Sequence, residues 1–159
     1  MSSLTDNSVL DRRSFLLGTA AVAAVAPFLG AAAQDAAPQT WQEALKKIVG
    51  EAQPIANGKL LAFELPETAE NGNMVPFTIA VDSPMTEKDH VRAIHVIATA
   101  NPQPDVASFH FTPLSGRAAV ASRMRLAGTQ DVIGLAEFSD GRLVMTRRPV
   151  KVVIGGFSG

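Results

Sequence analysis

The stretch VIGLAEFSDGRLVMTRRPVKVVI, residues 132–154, holds two runs of strand-forming residues on either side of a tight turn. Residues 132–138 and 143–154 are rich in β-branched and other apolar side chains, which are favoured in strands. Asp140-Gly141 between them is a strong signal for a hairpin turn. Pro149 interrupts the second run, and proline inside a strand is confined to a sheet edge or a bulge. The stretch therefore predicts an antiparallel strand pair.

Five further strands are expected before this hairpin, because apolar and β-branched runs alternate with turn-forming residues such as Pro66 and Asn71-Gly72. Their ranges are 59–65, 74–81, 91–99, 106–112 and 118–126. Seven short strands separated by turns are typical of an antiparallel β-sandwich. The sequence thus predicts an all-β fold with immunoglobulin-like architecture. The cysteines and buried tryptophan of antibody domains are missing, so the prediction concerns the architecture alone.

One short helix is expected ahead of the strands. Thr40 and Glu43 have the spacing of a capping box, and Gly50 supplies a stop signal. Five apolar residues between them fall on one helix face: Trp41, Ala44, Leu45, Ile48 and Val49. Trp41 is expected to anchor the helix on the sheet, with stacking against a ligand as the alternative. Residues 34–58 are therefore interpreted as helix and linker, and residues 59–154 as the sandwich domain.

The first 33 residues have the features of an export signal. Arg12-Arg13 precedes Ser14-Phe15 and an apolar stretch, as in twin-arginine signal peptides, and Ala31-Ala32-Ala33 suits signal peptidase. A membrane anchor is the alternative, but the apolar run is shorter than the roughly 20 residues that a bilayer span needs and contains a glycine and a proline. We expect export by the twin-arginine pathway, cleavage after Ala33 and a periplasmic mature protein that does not associate with a membrane.

Composition excludes several classes of function. A formal net charge of −1 disfavours nucleic-acid binding. Because the chain has no cysteine, it forms no disulfide, thiolate metal site or cysteine nucleophile. We found no nucleophile elbow, zinc-protease motif or phosphate-binding loop. Neither an enzymatic activity nor a cofactor is expected.

The three histidines are His90, His95 and His110. His95 and His110 fall on neighbouring predicted strands, so a shared metal ion is one interpretation. The preferred interpretation is that both are hydrogen-bonded residues of the sheet. No metal site is therefore predicted.

Basic residues concentrate in the last third of the chain. Residues 34–111 carry five basic and ten acidic side chains, whereas residues 112–159 carry seven basic and three acidic ones. Arg123 and Arg125 alternate with apolar residues, which places both on the same face of a strand. They are candidates for contact with a small anion or an acidic partner, and a solvated outer face is the alternative.

The chain ends in five residues of arm-like composition: Gly155, Gly156, Phe157, Ser158 and Gly159. Glycine loses much backbone freedom on ordering, so such a tail is expected to be flexible. Five extended residues reach about 17 Å. The C-terminal arm, residues 155–159, therefore presents one distinctive group, the ring of Phe157.

Several stretches together resemble SoxY, the Y subunit of the Sox thiosulfate-oxidation carrier. They include ENGN (70–73), VDSPMT (81–86), AIHV (93–96), VASFHFTP (106–113) and SDG (139–141), and the resemblance continues to Gly156. It implies a periplasmic sandwich protein, not an enzyme, that pairs with a Z subunit to form SoxYZ. In this family a cysteine in a Gly-Gly-Cys-Gly-Gly arm holds sulfur covalently and visits the active sites of other Sox enzymes.

The sequence departs from the family pattern at the tip of the arm. Phe157 stands where the resemblance places the carrier cysteine, and Ser158 replaces a glycine. A phenyl ring forms no bond to sulfur in such chemistry. We therefore expect a SoxY-like subunit that pairs with a SoxZ-like partner without carrying sulfur. A noncovalent binding or regulatory protein that uses Phe157 as an apolar anchor, and a decayed SoxY copy, are the alternatives.

Overall fold

The computed structural model describes residues 39–57 and 59–153. They form one α-helix and nine β-strands. In chain order these are α1 (Trp41–Val49), β1 (Ile55–Ala56), β2 (Leu61–Glu64), β3 (Thr68–Ala69), β4 (Val75–Val81), β5 (Val91–Ala98), β6 (Asp105–His110), β7 (Ala118–Met124), β8 (Gln130–Phe138) and β9 (Leu143–Val152). A 3₁₀ turn, Pro113–Ser115, joins β6 to β7. The all-β prediction is confirmed.

Helix α1 begins at the predicted capping box. The Thr40 hydroxyl accepts from the Glu43 N–H at 3.3 Å, and the Glu43 carboxylate accepts from the Thr40 N–H at 3.0 Å. The bond from the Thr40 N–H is the main reason that the pKa of Glu43 lies below its ordinary value. All five predicted apolar-face residues of α1 are buried or half-buried, and the other residues of the helix are exposed. The amphipathic pattern therefore identified the packed face.

The strands form two sheets. The large sheet has the order β1-β9-β8-β5-β6, with β3 also paired to β9, and the small sheet has the order β2-β4-β7. All pairs are antiparallel except those of β1 and β3 with β9, which are parallel. These two-residue strands lie outside the seven predicted ones. They have no periodic pattern, since two residues cannot show an alternation.

The predicted hairpin joins β8 and β9, which are neighbours in the large sheet. Leu143 lies opposite Glu137, and the pairing runs to Val150 opposite Gln130. Gly141 has φ +85°, a left-handed value that a glycine adopts readily. Pro149 lies opposite Asp131, in the gap between the parts of β9 that pair with β1 and with β3. Its missing N–H is thus tolerated at an edge position, as the sequence predicts.

The main core lies between the two sheets and is almost entirely apolar. Its largest fully buried side chains include Leu61, Ile79, Ile94, Val96 and Phe138. Helix α1 contacts β5. A second, smaller set of buried residues lies outside the main cluster: Ala44, Ala93, Ile97, Ile133, Leu135 and Leu143. Ala44 belongs to α1. The five strand residues lie on the outer face of the large sheet, because their positions alternate with core residues along each strand.

Trp41 is half-buried, with the Arg147 guanidinium of β9 5.1 Å from the centre of its ring. The residue thus links α1 to the large sheet. Within the described residues, no helix has the length and apolar character needed to cross a bilayer.

Candidate functional site: the root of the C-terminal arm

The last described residues, Val152 and Val153, are held on both sides. The Val153 N–H donates to Ala69 O at 2.9 Å. The Val152 N–H donates to the Thr129 hydroxyl at 3.0 Å. Parallel pairing with β3 and antiparallel pairing with β8 precede these bonds. Hydrogen bonds therefore fix the backbone up to Val153, the last described residue.

Gly72 lies in close contact with this root. The Leu126 N–H donates to Gly72 O at 2.7 Å. A Cβ on Gly72 would lie 2.5 Å from Leu126 O and 3.0 Å from the Val152 side chain. Asn71 closes the same turn by accepting from the Asn73 N–H at 2.9 Å. Glycine at position 72 thus permits three chain segments to meet beside the end of β9.

A small pocket of about 240 Å³ opens where these segments meet. Its lining comprises residues 70–73, 125–127 and 152–153, with Glu70 and Arg125 as its charged members. Asn101 fixes the Arg125 backbone, because its amide donates to Arg125 O at 2.9 Å and its carbonyl accepts from Ala127 N–H at 2.9 Å. Arg125 itself is exposed. The Arg125 guanidinium is therefore available to a ligand or chain segment that lies in this pocket beside the arm root.

Arg123 lies away from this pocket. It is exposed in β7 opposite Pro76, whereas Arg125 follows Met124, the last residue of the strand. Neither arginine belongs to an ion pair within residues 39–57 and 59–153. The structure thus leaves both charges available to a ligand or partner but gives them different surroundings.

The three histidines have separate environments. His95 Nδ1 lies 2.8 Å from the Ser108 hydroxyl, and its buried Nε2 has no hydrogen-bond partner in the described part of the chain. The rings of His95 and the exposed His110 are edge to face, 6.3 Å between centroids. His90 Nδ1 lies 3.0 Å from Thr86 O. Among the residues described, no three or more His, Cys, Asp or Glu side chains are grouped to hold a metal.

A larger cleft of about 1010 Å³ lies between the edges of β2 and β9. Phe63, Leu65 and Val150 supply apolar walls, and the charged lining residues are of both signs. Arg148 crosses from β9 to donate to Phe63 O at 3.3 Å. Sequence reasoning missed this cleft, since the only local signal is the edge position of Pro149. Its mixed charges select neither anions nor cations.

The remaining predicted site residues lie outside the described part. Arg12 and Arg13 precede it, and the C-terminal arm with Phe157 follows it. Their assigned roles therefore stay predictions.

Known proteins resemble this chain at the levels of sequence and fold. The family model "Sulfur oxidation protein SoxY" matches residues 45–156. The sulfur carrier protein SoxY from Chlorobium limicola f thiosulfatophilum is 33% identical with a TM-score of 0.58, over 71% of this chain and 96% of that one. No curated protein sequence matches closely enough to count as a relative.

Solved superoxide reductases share the fold alone. The neelaredoxin from Ignicoccus hospitalis is 15% identical with a TM-score of 0.54, over 70% of this chain and 92% of that one. The enzyme from Nanoarchaeum equitans is 14% identical with a TM-score of 0.51, over 62% of this chain and 98% of that one. At such low sequence identities, the structural similarity indicates a shared fold and not a shared function. The family match, in contrast, spans well over half of the sequence, and the chain belongs to the SoxY family of sulfur oxidation proteins.

Proposed function

We propose that this chain is a periplasmic SoxY-like subunit of a sulfur-oxidation system that pairs with a SoxZ-like subunit and does not hold sulfur covalently. The observation that carries the proposal is a SoxY family match over residues 45–156 in a chain that contains no cysteine. Membership of the family supports a role beside protein partners rather than catalysis. The arm contributes position and recognition, with Phe157 as its apolar tip.

The chemistry of carriage explains why the missing cysteine matters. A covalent carrier needs a nucleophile that is attacked and released reversibly, and a thiolate does this. The phenyl ring of Phe157 has no such electron pair. The Ser158 hydroxyl is almost fully protonated at neutral pH and forms no reversible bond to sulfur. The arm therefore lacks a group that could replace the cysteine.

The hydrogen bonding of the buried polar groups supports a maintained protein rather than a decayed SoxY copy. Of the buried residues in the described part of the chain, only His95 and Gln130 are polar or charged. The Gln130 amide is fully used: it donates to Asn101 Oδ1 at 2.9 Å and to Gly128 O at 3.1 Å, and accepts from Ala100 N–H at 2.8 Å. A chain free of selection would accumulate unpaired polar groups in its core, each of which costs stability, whereas the described core contains one such atom, His95 Nε2. At the root of the arm, the Val152 and Val153 N–H groups are likewise both hydrogen-bonded.

The central test is sulfur loading, followed by intact mass spectrometry. The mature protein is incubated with thiosulfate and the heme enzyme of the same Sox system, and we expect no adduct. Phe157→Cys should restore partial loading. Adding Ser158→Gly should restore more, because glycine returns backbone freedom beside the tip.

An exposed cysteine at an unrelated place provides the control. Ile55 is 58% exposed on β1, and Ile55→Cys should stay unloaded if the enzyme reads the arm rather than any thiol. A sulfur adduct on the unmodified protein would overturn the noncarrier proposal. Failure of the double variant to load would instead favour the noncovalent binding function, in which Phe157 fills an apolar pocket of a partner.

A further inference from the structure

The two open sides of the sandwich differ in how their strand edges are protected. Strand β2 of the small sheet contacts β9 of the large one, and Phe77 of β4 contacts Phe109 of β6 with ring centroids 6.5 Å apart. The terminal strands β6 and β7 therefore lie on the same side of the sandwich, opposite β2 and β9. We call β6, the 3₁₀ turn Pro113–Ser115 and β7 the β6–β7 edge.

The β2–β9 side carries several devices against further strand pairing. Short strands β1 and β3 cover two parts of β9, and Pro149 removes a donor between them. Arg148 ties β9 to the Phe63 carbonyl of β2. Proteins use such coverage and prolines to keep edges from pairing with other chains. On this side β9 is closed to an added strand, and β2 offers only a four-residue edge beside the cleft.

The β6–β7 edge has none of these devices within the described residues. Each strand is the last of its sheet, β6 with six residues and β7 with seven, and neither strand contains a proline. Along β7, Ala121, Ser122 and Arg123 are consecutively exposed. Unpaired backbone groups of such length are a template for pairing with another strand. The edge is thus available on both sheets at once.

Leu114 gives this edge an apolar projection. It is 97% exposed, compared with 58% for Ile55 and Met74 and 43% for Val153. The turn that carries it is held in place: the Thr112 N–H donates to the Ser115 hydroxyl at 3.1 Å, and the Ser115 N–H to Thr112 O at 2.9 Å. A large aliphatic side chain presented by a fixed turn beside two free strands offers an apolar contact to a partner that pairs with one of them.

The charged residues in and around the β6–β7 edge indicate what kind of partner would bind there. Residues 105–130, from the first residue of β6 to the first residue of β8, contain one acidic residue, Asp105, no lysine, and three arginines, Arg117, Arg123 and Arg125. All three are exposed, and none has a carboxylate within ion-pair distance in the part of the chain that the structure describes. A second copy of this chain would bring arginines against arginines. A partner with carboxylates beside its own free strand would be complementary.

We infer that the β6–β7 edge is the docking surface for the SoxZ-like subunit, which adds a strand here, receives Leu114 in an apolar recess and places acidic side chains near Arg117, Arg123 and Arg125. The inference rests on the proposed function for the identity of the partner. The docking surface is thus the β6–β7 edge, its apolar anchor is Leu114, and the partner's contacting side chains are acidic.

The test measures binding of the purified mature chain to the SoxZ protein encoded in the same genome, by calorimetry and analytical ultracentrifugation. Leu114→Arg should weaken binding at least about tenfold, since it removes the anchor and adds to the positive charge. Ile55→Arg is the matched control, an exposed apolar residue on β1 at the closed side, and should change affinity less than about twofold. Equal thermal midpoints would show that both variants are folded.

Charge is tested separately. Arg123→Glu should weaken binding and reduce its dependence on salt, because an attractive contact with a carboxylate becomes repulsive. Lys151→Glu on β9, also exposed and without an ion pair among the described residues, should leave the salt dependence unchanged. Amide exchange in β6 and β7 should slow in the complex.

The possible outcomes separate the two proposals. If SoxZ binds the unmodified chain and Leu114→Arg binds as tightly as Ile55→Arg, the docking surface is wrong while the proposed function stands. Absence of any complex at micromolar concentration overturns both. A homodimer of the unmodified chain that Leu114→Arg dissociates would assign the edge to a second copy and overturn the choice of SoxZ.

Discussion

Among residues 39–57 and 59–153, His95 is the one buried residue with a side-chain polar atom that lacks a hydrogen-bond partner. It is 8% exposed in β5, with Nδ1 beside the Ser108 hydroxyl and Nε2 buried without a partner in the described residues. Burial lowers the pKa of His95 from its ordinary value of 6.5, although Glu137 and Asp105 oppose this shift. The neutral imidazole is therefore the form that the folded protein favours.

A depressed histidine pKa predicts stability that falls in acid. The unfolded chain takes up a proton near pH 6.5, before the folded chain does. His95 thus imposes no cost above this pH, and stability is lost as the pH falls through 6.5 toward the lower pKa of the folded state. Urea unfolding of the mature protein between pH 7.5 and pH 5 should therefore give decreasing free energies.

The variant His95→Asn should flatten this decrease, because its amide does not titrate and can still bond to Ser108. His110→Asn is the comparison: His110 is exposed and its charge is the smallest of the named causes of the shift at His95, so that variant should keep most of the slope of the unmodified protein. Identical slopes in the unmodified protein and His95→Asn would contradict the assignment of the acid response to His95.

At the scale of elements, sequence patterns correctly predicted the features that depend on interactions between residues close in sequence. The capping box of α1, its apolar face and the β8–β9 hairpin all follow from residues close in sequence, and the structure confirms each. Strands β1 and β3 escaped prediction because parallel pairing with β9 is set by distant residues. The contact of Gly72 with Leu126 O is equally long-range, and only the glycine itself marks it in the sequence.

That contact predicts a large effect for Gly72→Ala. The added Cβ would meet a backbone oxygen at 2.5 Å, and backbone cannot move aside as a side-chain tip does. We expect a loss of roughly 1–3 kcal/mol in the free energy of unfolding, measured by urea denaturation. The displaced Leu126 segment should also alter the pocket beside the arm root.

Gly128→Ala provides the comparison, since a Cβ there has nothing within 4 Å. This variant should stay within about 0.5 kcal/mol of the unmodified protein, as is usual for surface substitutions. Similar midpoints for the two alanine variants would show that the segments around Gly72 shift without cost.

At the scale of the whole molecule, the sequence predicted a charge asymmetry but not its geometry. The excess of basic residues after residue 111 is visible in a count. That Arg123 lies on a free edge strand and Arg125 beside the arm root follows only from strand order and from the Asn101 contacts. The candidate site was thus predictable by residue type, whereas its division into two surfaces required the fold.

Whole-molecule function also depends on where the chain acts, and the paired arginines 12 and 13 make that testable. Replacing both with lysine retains the positive charge but removes the twin-arginine motif. We expect the precursor to accumulate in the cytoplasm and the mature form to disappear from the periplasmic fraction, as detected by immunoblotting.

The chain contains its own control for this experiment, a second adjacent pair at Arg147-Arg148. Lysine at these two exposed positions preserves charge in β9 and leaves the N-terminal motif intact, so mature protein should reach the periplasm at the normal level. Because the twin-arginine route accepts folded proteins, thermal midpoints of the purified variants must also agree. Normal periplasmic levels of the Arg12→Lys/Arg13→Lys protein would refute export by this pathway.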